Sequence, residues 1–211
     1  MPRTRQIPRS EAPESILPIY HRLFGERDPV AEPGTATGTL GNWWTVFAQT
    51  PDLVQHMVAG FRLFSDSARE LAPALRELGL TRTGFAAGSQ FVFSQHCKIA
   101  RGVGVTEAKL QDIPSWTTSD EFSAAERAVL AYTDELVLGG GRVQDRTFEA
   151  LRAHLGEVAI IELTYAVCSY RLHATMCRAL RLEYDDIDER IVEIAAPGDG
   201  DEDVMGTIAM R

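Results

Sequence analysis

Hydrophobic positions recur three, four and seven residues apart along most of this chain, and no strand-rich region or repeat of fixed period interrupts them. The pattern predicts an all-α protein. Ser15 to Phe24 reads as a short first helix that ends near Gly25. Leu40, Trp43, Trp44 and Phe47 then form an aromatic stripe at helical spacing. Thr50 and Pro51 supply an N-cap and a first-turn proline to a helix reaching about Asp66, whose stripe is Leu53, Val54, Met57, Val58, Phe61 and Phe64, with His56 off it. A further helix lies within Arg69 to Phe85, with Pro73 in its first turn and Glu77 in its middle.

Gly84 and Gly88 mark the turn into the most informative stretch, Ser89 to Gly104. On a helix, Ser89, Val92, His96, Ile99, Ala100 and Val103 share one face, so His96 points inward, either as a hydrogen-bonded core residue or as a functional one. Thr106 caps a short helix that Pro114 stops, and Ser123 with Glu126 forms a capping box for the next, which Gly139 to Gly141 end. Asp145 to Leu155 gives another helix, closed by Gly156. The longest spans roughly 157 to 182. One of its faces carries Ile161, Tyr165, Cys168, Leu172, Met176 and Ala179; a second carries Glu162, Ala166, Ser169, His173 and Cys177. Two such faces predict burial between neighbours.

These elements predict one domain over residues 15–184, between a loose N-terminal arm, 1–14, and an acidic tail, 185–211, whose ordered piece is RIVEIAAP. The net charge of -9 and the lack of a clustered Lys/Arg face argue against a nucleic-acid partner. No apolar run is long enough for a signal peptide or a membrane span, so the expectation is a cytoplasmic protein without a membrane partner. Three cysteines with no CxxC pair fit reduced thiols, and no metal-finger spacing is present.

LAPALRELGL, beginning at Leu71, followed by a glycine-containing turn and QFVFSQHCKIARGVGVT, resembles the signature helix pair of the carboxymuconolactone decarboxylase family, which also contains alkylhydroperoxidase D (AhpD). The later FEALRAHLGEVAIIELTYAVCSYRLHATMCRAL is similar to the family's closing segment, so the resemblance covers roughly Ser15 to Tyr184. The family's histidine, with Ala at the fourth position after it and Gly at the eighth, is matched by His96, Ala100 and Gly104. The resemblance implies a single-domain AhpD-like helical bundle that assembles into homotrimers or homohexamers, with an active site beside the signature helix. In the family's peroxidase branch a CxxCxxxH motif works with a glutamate one helix earlier. The histidine matches His96 and the glutamate Glu77, while the two cysteine positions fall on Ser89 and Val92, which removes the redox dithiol. The Val92 position often carries a glutamate in the decarboxylase-like branch, and this chain lacks it too.

The His96 and Glu77 pair carries the expected chemistry. A carboxylate fixes the imidazole tautomer and makes His96 a general base or acid near neutral pH. The expected activity is cofactor-independent decarboxylation or isomerisation of a small carbonyl, lactone or β-keto acid substrate, with no metal. Ser89, Val92, Phe93, Cys97, Arg101, Trp44 and His173 are the candidate substrate contacts, with Lys98 and Arg171 further candidates for a carboxylate. Two alternatives stay open. One is a thiol-dependent peroxidase using Cys97 or the Cys168 and Cys177 combination; the other is a non-catalytic oligomeric binding protein. His173 and Cys177 sit at i and i+4, but two ligands are too few for a metal site.

Overall fold

In the computed structural model, residues 1–65, 68–184 and 191–197 are described, and among them every regular element is helical. The helices are α1 (Leu17–Phe24), α2 (Asn42–Phe47), α3 (Pro51–Ser65), α4 (Pro73–Ala86), α5 (Gln90–Gly102), α6 (Glu107–Asp112), α7 (Ala124–Val137), α8 (Asp145–Arg152) and α9 (Glu157–Leu180), with 3-10 turns at Arg9–Glu11 and Ile113–Thr118. Their contacts divide the chain into two compact units where the periodicity predicts one domain. The described residues of the first are 1–65, 177–184 and 194–197; those of the second are 68–176 and 191–193.

In the first unit, residues 1–14 are tied down where the sequence predicts a loose arm. Arg3 N donates to Leu180 O at 2.9 Å, Ile7 N to Thr45 O at 2.8 Å, and the buried Tyr20 hydroxyl to Ile7 O at 2.8 Å. Proline and arginine enrichment signalled missing periodicity, and irregular backbone can still be held by hydrogen bonds. The aromatic stripe is shorter than its pattern. Gly41 is left-handed at φ 88°, so α2 starts only at Asn42, and Leu40 stays outside it, part-exposed. The buried Glu183 carboxylate takes up the amides there, accepting from Leu40 N at 2.8 Å, Gly41 N at 3.1 Å and Trp43 N at 2.8 Å.

In the second unit, Thr106 accepts from Lys109 N and Ser123 and Glu126 form the full capping box, as the sequence predicts. Ser89, expected on the inward face of the helix, is instead the N-cap of α5 and accepts from Val92 N. Helix α4 begins at Pro73, in the first turn as predicted, and the Leu71 amide ahead of it is bound by the Glu162 carboxylate at 2.8 Å. Gly88, at φ 68°, makes the turn into α5, and a Cβ on Gly84 would fall 2.4 Å from the Phe93 nitrogen. That absent methyl lets α4 and α5 pack backbone to backbone. Their seam holds Leu78, Phe93, Cys97 and Ala100, joined by Leu110, Ile113, Phe122 and Leu130. A second cluster unites α7, α8 and α9 through Val129, Leu136, Leu151, Leu163 and Val167. Arg82 locks α4 to α7 with two bonds to Asp134, at 2.6 and 3.0 Å, and donates to Ile113 O at 3.0 Å.

Helix α9 departs from the two-buried-faces expectation. Leu163, Ala166, Val167, Tyr170, His173 and Ala174 are buried, whereas Ile161, Tyr165 and Leu172 are 68%, 51% and 61% exposed and Cys168 is exposed with them. The period is right, but the stripe that meets the core is turned from the one the apolar count selects. Of the tail, 191–197 falls within the predicted ordered piece; the rest of 185–211 lies outside the described residues.

Candidate active site

Two successive helices bring the expected pair together. Glu77 on α4 and His96 on α5 are only 2% and 3% exposed, and the Glu77 Oε2 lies 2.7 Å from His96 Nδ1. The close α4–α5 packing that Gly84 permits is what allows two side chains 19 positions apart to meet. The other carboxylate oxygen, Oε1, accepts from Arg76 Nε at 2.8 Å. Glu77 is therefore buried between an imidazole and a guanidinium, rather than exposed on the helix surface. Burial pushes its carboxyl upward, yet the His96 charge and hydrogen bond, with Arg76 adding to both, hold the net value below the ordinary carboxylate range.

The arrangement fixes the ring. A carboxylate accepts, so Nδ1 carries the hydrogen, and in the neutral ring the lone pair sits on Nε2. Tyr170 of α9 stands edge-on to the His96 ring, centroids 4.3 Å apart at 90°. His173 lies one turn further along, its ring 5.9 Å from Tyr170 and 6.0 Å from Phe91. Burial, reinforced by the charge of His96, pushes the His173 value down to about 3, so this second imidazole is neutral at physiological pH.

The other candidates separate into different surroundings. Ser89 and Val92 are buried on the His96 face of α5, with the Ser89 side chain engaged in capping. Phe93 and Cys97 instead enter the Leu78–Ile113 cluster, where Phe93 meets Phe85 edge-on at 5.8 Å. Burial pushes the Cys97 thiol up to about 12, with the Glu193 carboxylate adding to the effect. Arg101 donates to Glu107 and Glu193. Trp44 belongs to the first unit, where its ring packs on Trp43 at 4.5 Å. Arg171 donates to Leu136 O at 3.0 Å, and Glu162 is engaged by the Leu71 amide and Arg69. Among the described residues no group of three or more His, Cys, Asp or Glu could hold a metal ion, and no helix is long and apolar enough to cross a membrane.

Tyr170 is the neighbour that sequence reasoning missed. Its signal was its place three residues before His173, on the same side of one long helix. Nothing in the sequence ties Glu193 to Arg101, 92 positions away.

Residues 51–135, which include Glu77 and His96, match the model of the carboxymuconolactone decarboxylase family. No curated protein matches. Among solved structures, the debrominase Bmp8 in complex with 2,3,4-tribromopyrrole is similar at a TM-score of 0.64 and 21% identity, over 86% of this chain and 92% of that one. An alkylhydroperoxidase AhpD core, an uncharacterized peroxidase-related protein from Ralstonia eutropha, is similar at 0.64 and 18%, over 87% and 95%. A protein of unknown function from Agrobacterium tumefaciens is similar at 0.57 and 22%, over 70% and 96%. At these identities the likeness shows a shared AhpD-like fold.

Proposed function

Because the chain belongs to the carboxymuconolactone decarboxylase family and has its AhpD-like fold, we propose that it is a cofactor-independent acid/base enzyme in which His96 moves a proton and Glu77 orients the ring. The observation that carries this reading is the buried Glu77–His96 contact at 2.7 Å, with Arg76 on the far oxygen. The substrate class is a small carbonyl compound, lactone or β-keto acid. In isomerisation, Nε2 takes a proton from the carbon beside the carbonyl, the electron pair enters the enolate, and the imidazolium returns the proton to another carbon. In decarboxylation, Nε2 first takes the proton of the β-keto acid's carboxyl group, the electrons of the breaking carbon–carbon bond enter the enolate as CO2 leaves, and the imidazolium returns that proton to the same carbon. In both cases the carboxylate stabilises the transient imidazolium. Because His96 is buried, with the Tyr170 ring edge-on against it, a substrate reaches the imidazole only when a neighbouring side chain moves.

A thiol peroxidase has less support. Cys97 is buried in an apolar cluster with its proton held, and Cys168 and Cys177, nine residues apart on one helix, are separated by about 13 Å, beyond disulfide reach. The exposed Ile161, Tyr165 and Leu172 stripe of α9 supports a homotrimer or homohexamer, since such a stripe is what a subunit contact covers. Three free thiols fit a cytoplasmic location.

The test is exchange of α-protons with D2O and release of CO2, followed by NMR, over a panel of small β-keto acids and unsaturated lactones. His96→Ala is expected to abolish turnover of any panel member that reacts, and Glu77→Gln to lower it about 100-fold, with helical circular dichroism retained. Turnover unchanged in His96→Ala, or no reaction across the panel, overturns the reading.

A further inference from the structure

Helix α5 carries a second constellation that the acid/base chemistry does not use. Arg101 donates from Nη1 and Nη2 to the two oxygens of Glu193, at 2.7 and 2.5 Å, and from Nε to Glu107 at 2.8 Å. The Lys98 ammonium lies 3.7 Å from Glu193 Oε1, and also donates to the carbonyl and hydroxyl of Ser94, at 3.1 and 3.0 Å. Gln90 reads the main chain of the same segment in both directions: its Nε2 donates to Val192 O, and its Oε1 accepts from Val192 N at 3.0 Å. Ile191 packs on the apolar cluster while Val192 stays largely exposed, so alternate side chains of the segment face α5 and solvent. The segment is seated like a bound ligand.

Beside it lies a cavity of about 230 Å3, lined by Phe93, Cys97, Leu110 and Pro114, by the polar Glu107 and Gln111, and by residues 191–193. That is below the roughly 300–1,000 Å3 of a drug-sized site, so its guest is small. The charges decide which kind of guest. A planar guanidinium fork matches one carboxylate, and an ammonium that is nearly buried demands a counter-charge. Arg101 and Lys98 balance Glu107 and Glu193 one for one, and Glu107 makes its own separate bond to Nε. Removal of Glu193 alone therefore leaves room and charge for one further monoanion, with Phe93, Leu110, Pro114 and Ile191 to meet a short chain.

We propose that Arg101 and Lys98 form a binding site for a short-chain carboxylic acid, that Glu193 is its built-in occupant, and that an external acid enters by displacing Glu193, carboxylate for carboxylate. The site is separate from the His96 pair and does not depend on the activity assigned to it. An intramolecular occupant lowers the apparent affinity of an external one by the fraction of time the site is open. The full chain is titrated with hexanoate, and with hexanol as the uncharged control, by calorimetry and by the NMR signal of the Val192 amide. Hexanoate is expected to bind Glu193→Gln at least about tenfold more tightly than the unaltered chain, and to shift the Val192 amide of the unaltered chain at saturation. Hexanol should bind both weakly and equally. Arg101→Gln and Arg101→Lys should each lose hexanoate; the lysine variant keeps the charge without the fork and decides the matter should the glutamine variant fail to fold. Equal hexanoate affinity with and without Glu193, hexanol binding as tightly as hexanoate, or undiminished binding in Arg101→Lys overturns the proposal.

Discussion

Two faces of the same helix hold charged groups in opposite ways. On the His96 face of α5 the partner comes from the preceding helix, is 2% exposed, and sits in a seam closed by backbone contact at Gly84. On the Arg101 face the partner comes from 92 positions away, and Arg101 and Glu193 keep 27% and 25% of their side-chain surface exposed. The first arrangement is dry; its carboxylate is costly to remove because the Arg76 guanidinium and the His96 ring would both lose their buried hydrogen-bond partner. The second is partly wet and its carboxylate can be exchanged. A proton-moving residue benefits from the first environment, and a binding site with a replaceable occupant from the second.

That contrast can be broken by experiment. The largest effect is expected from Glu77→Ala, which strands Arg76 and His96 and should cost about 3–5 kcal/mol in urea unfolding; a loss below about 1 kcal/mol would place the pair in water instead. Next comes acidification. Free His173 takes a proton below about 6.5 and the folded one only below about 3, so between these values the unfolded chain binds more protons and stability falls as pH drops. From pH 6.5 to 4.5 the loss should reach about 2–3 kcal/mol, and His173→Phe should flatten the slope. Glu77, whose folded value is lowered, adds a loss of the same sign below its ordinary carboxylate range, as pH falls through the folded value. Ser89→Ala, which removes the α5 cap beneath both faces, should cost about 1 kcal/mol in the same unfolding measurement. Smallest is Glu193→Gln, expected at under about 1 kcal/mol because the pair is part-exposed. A larger cost than that of Ser89→Ala would show the Arg101 face to be as dry as the other. Thiol labelling sharpens the same division: Cys168 should react within minutes and the buried Cys97 far more slowly.

Much of this was legible beforehand. Capping residues at 106 and 123 and prolines at 51 and 73 act within a few residues of themselves, so their effect is readable from neighbours in the chain. The pairing of Glu77 with His96 was legible only through resemblance, since spacing alone puts His96 inward and leaves Glu77 an ordinary helix carboxylate. Periodicity also failed to say which side of α9 is buried, because Ile161 and Leu172 are as apolar as Leu163 and Val167 and the choice rests on what packs opposite.

The sequence by itself determined the helices, their caps and the inward aim of His96, because these follow from side-chain chemistry within one or two helical turns. Only the tertiary structure decided that Arg76 and His96 share one carboxylate, that Cys97 is buried while Arg101 is bridged to Glu193, and that the first fourteen residues are held down. Each of those depends on groups distant along the chain meeting at hydrogen-bond range, and that meeting is set by how helices pack, which no local pattern encodes.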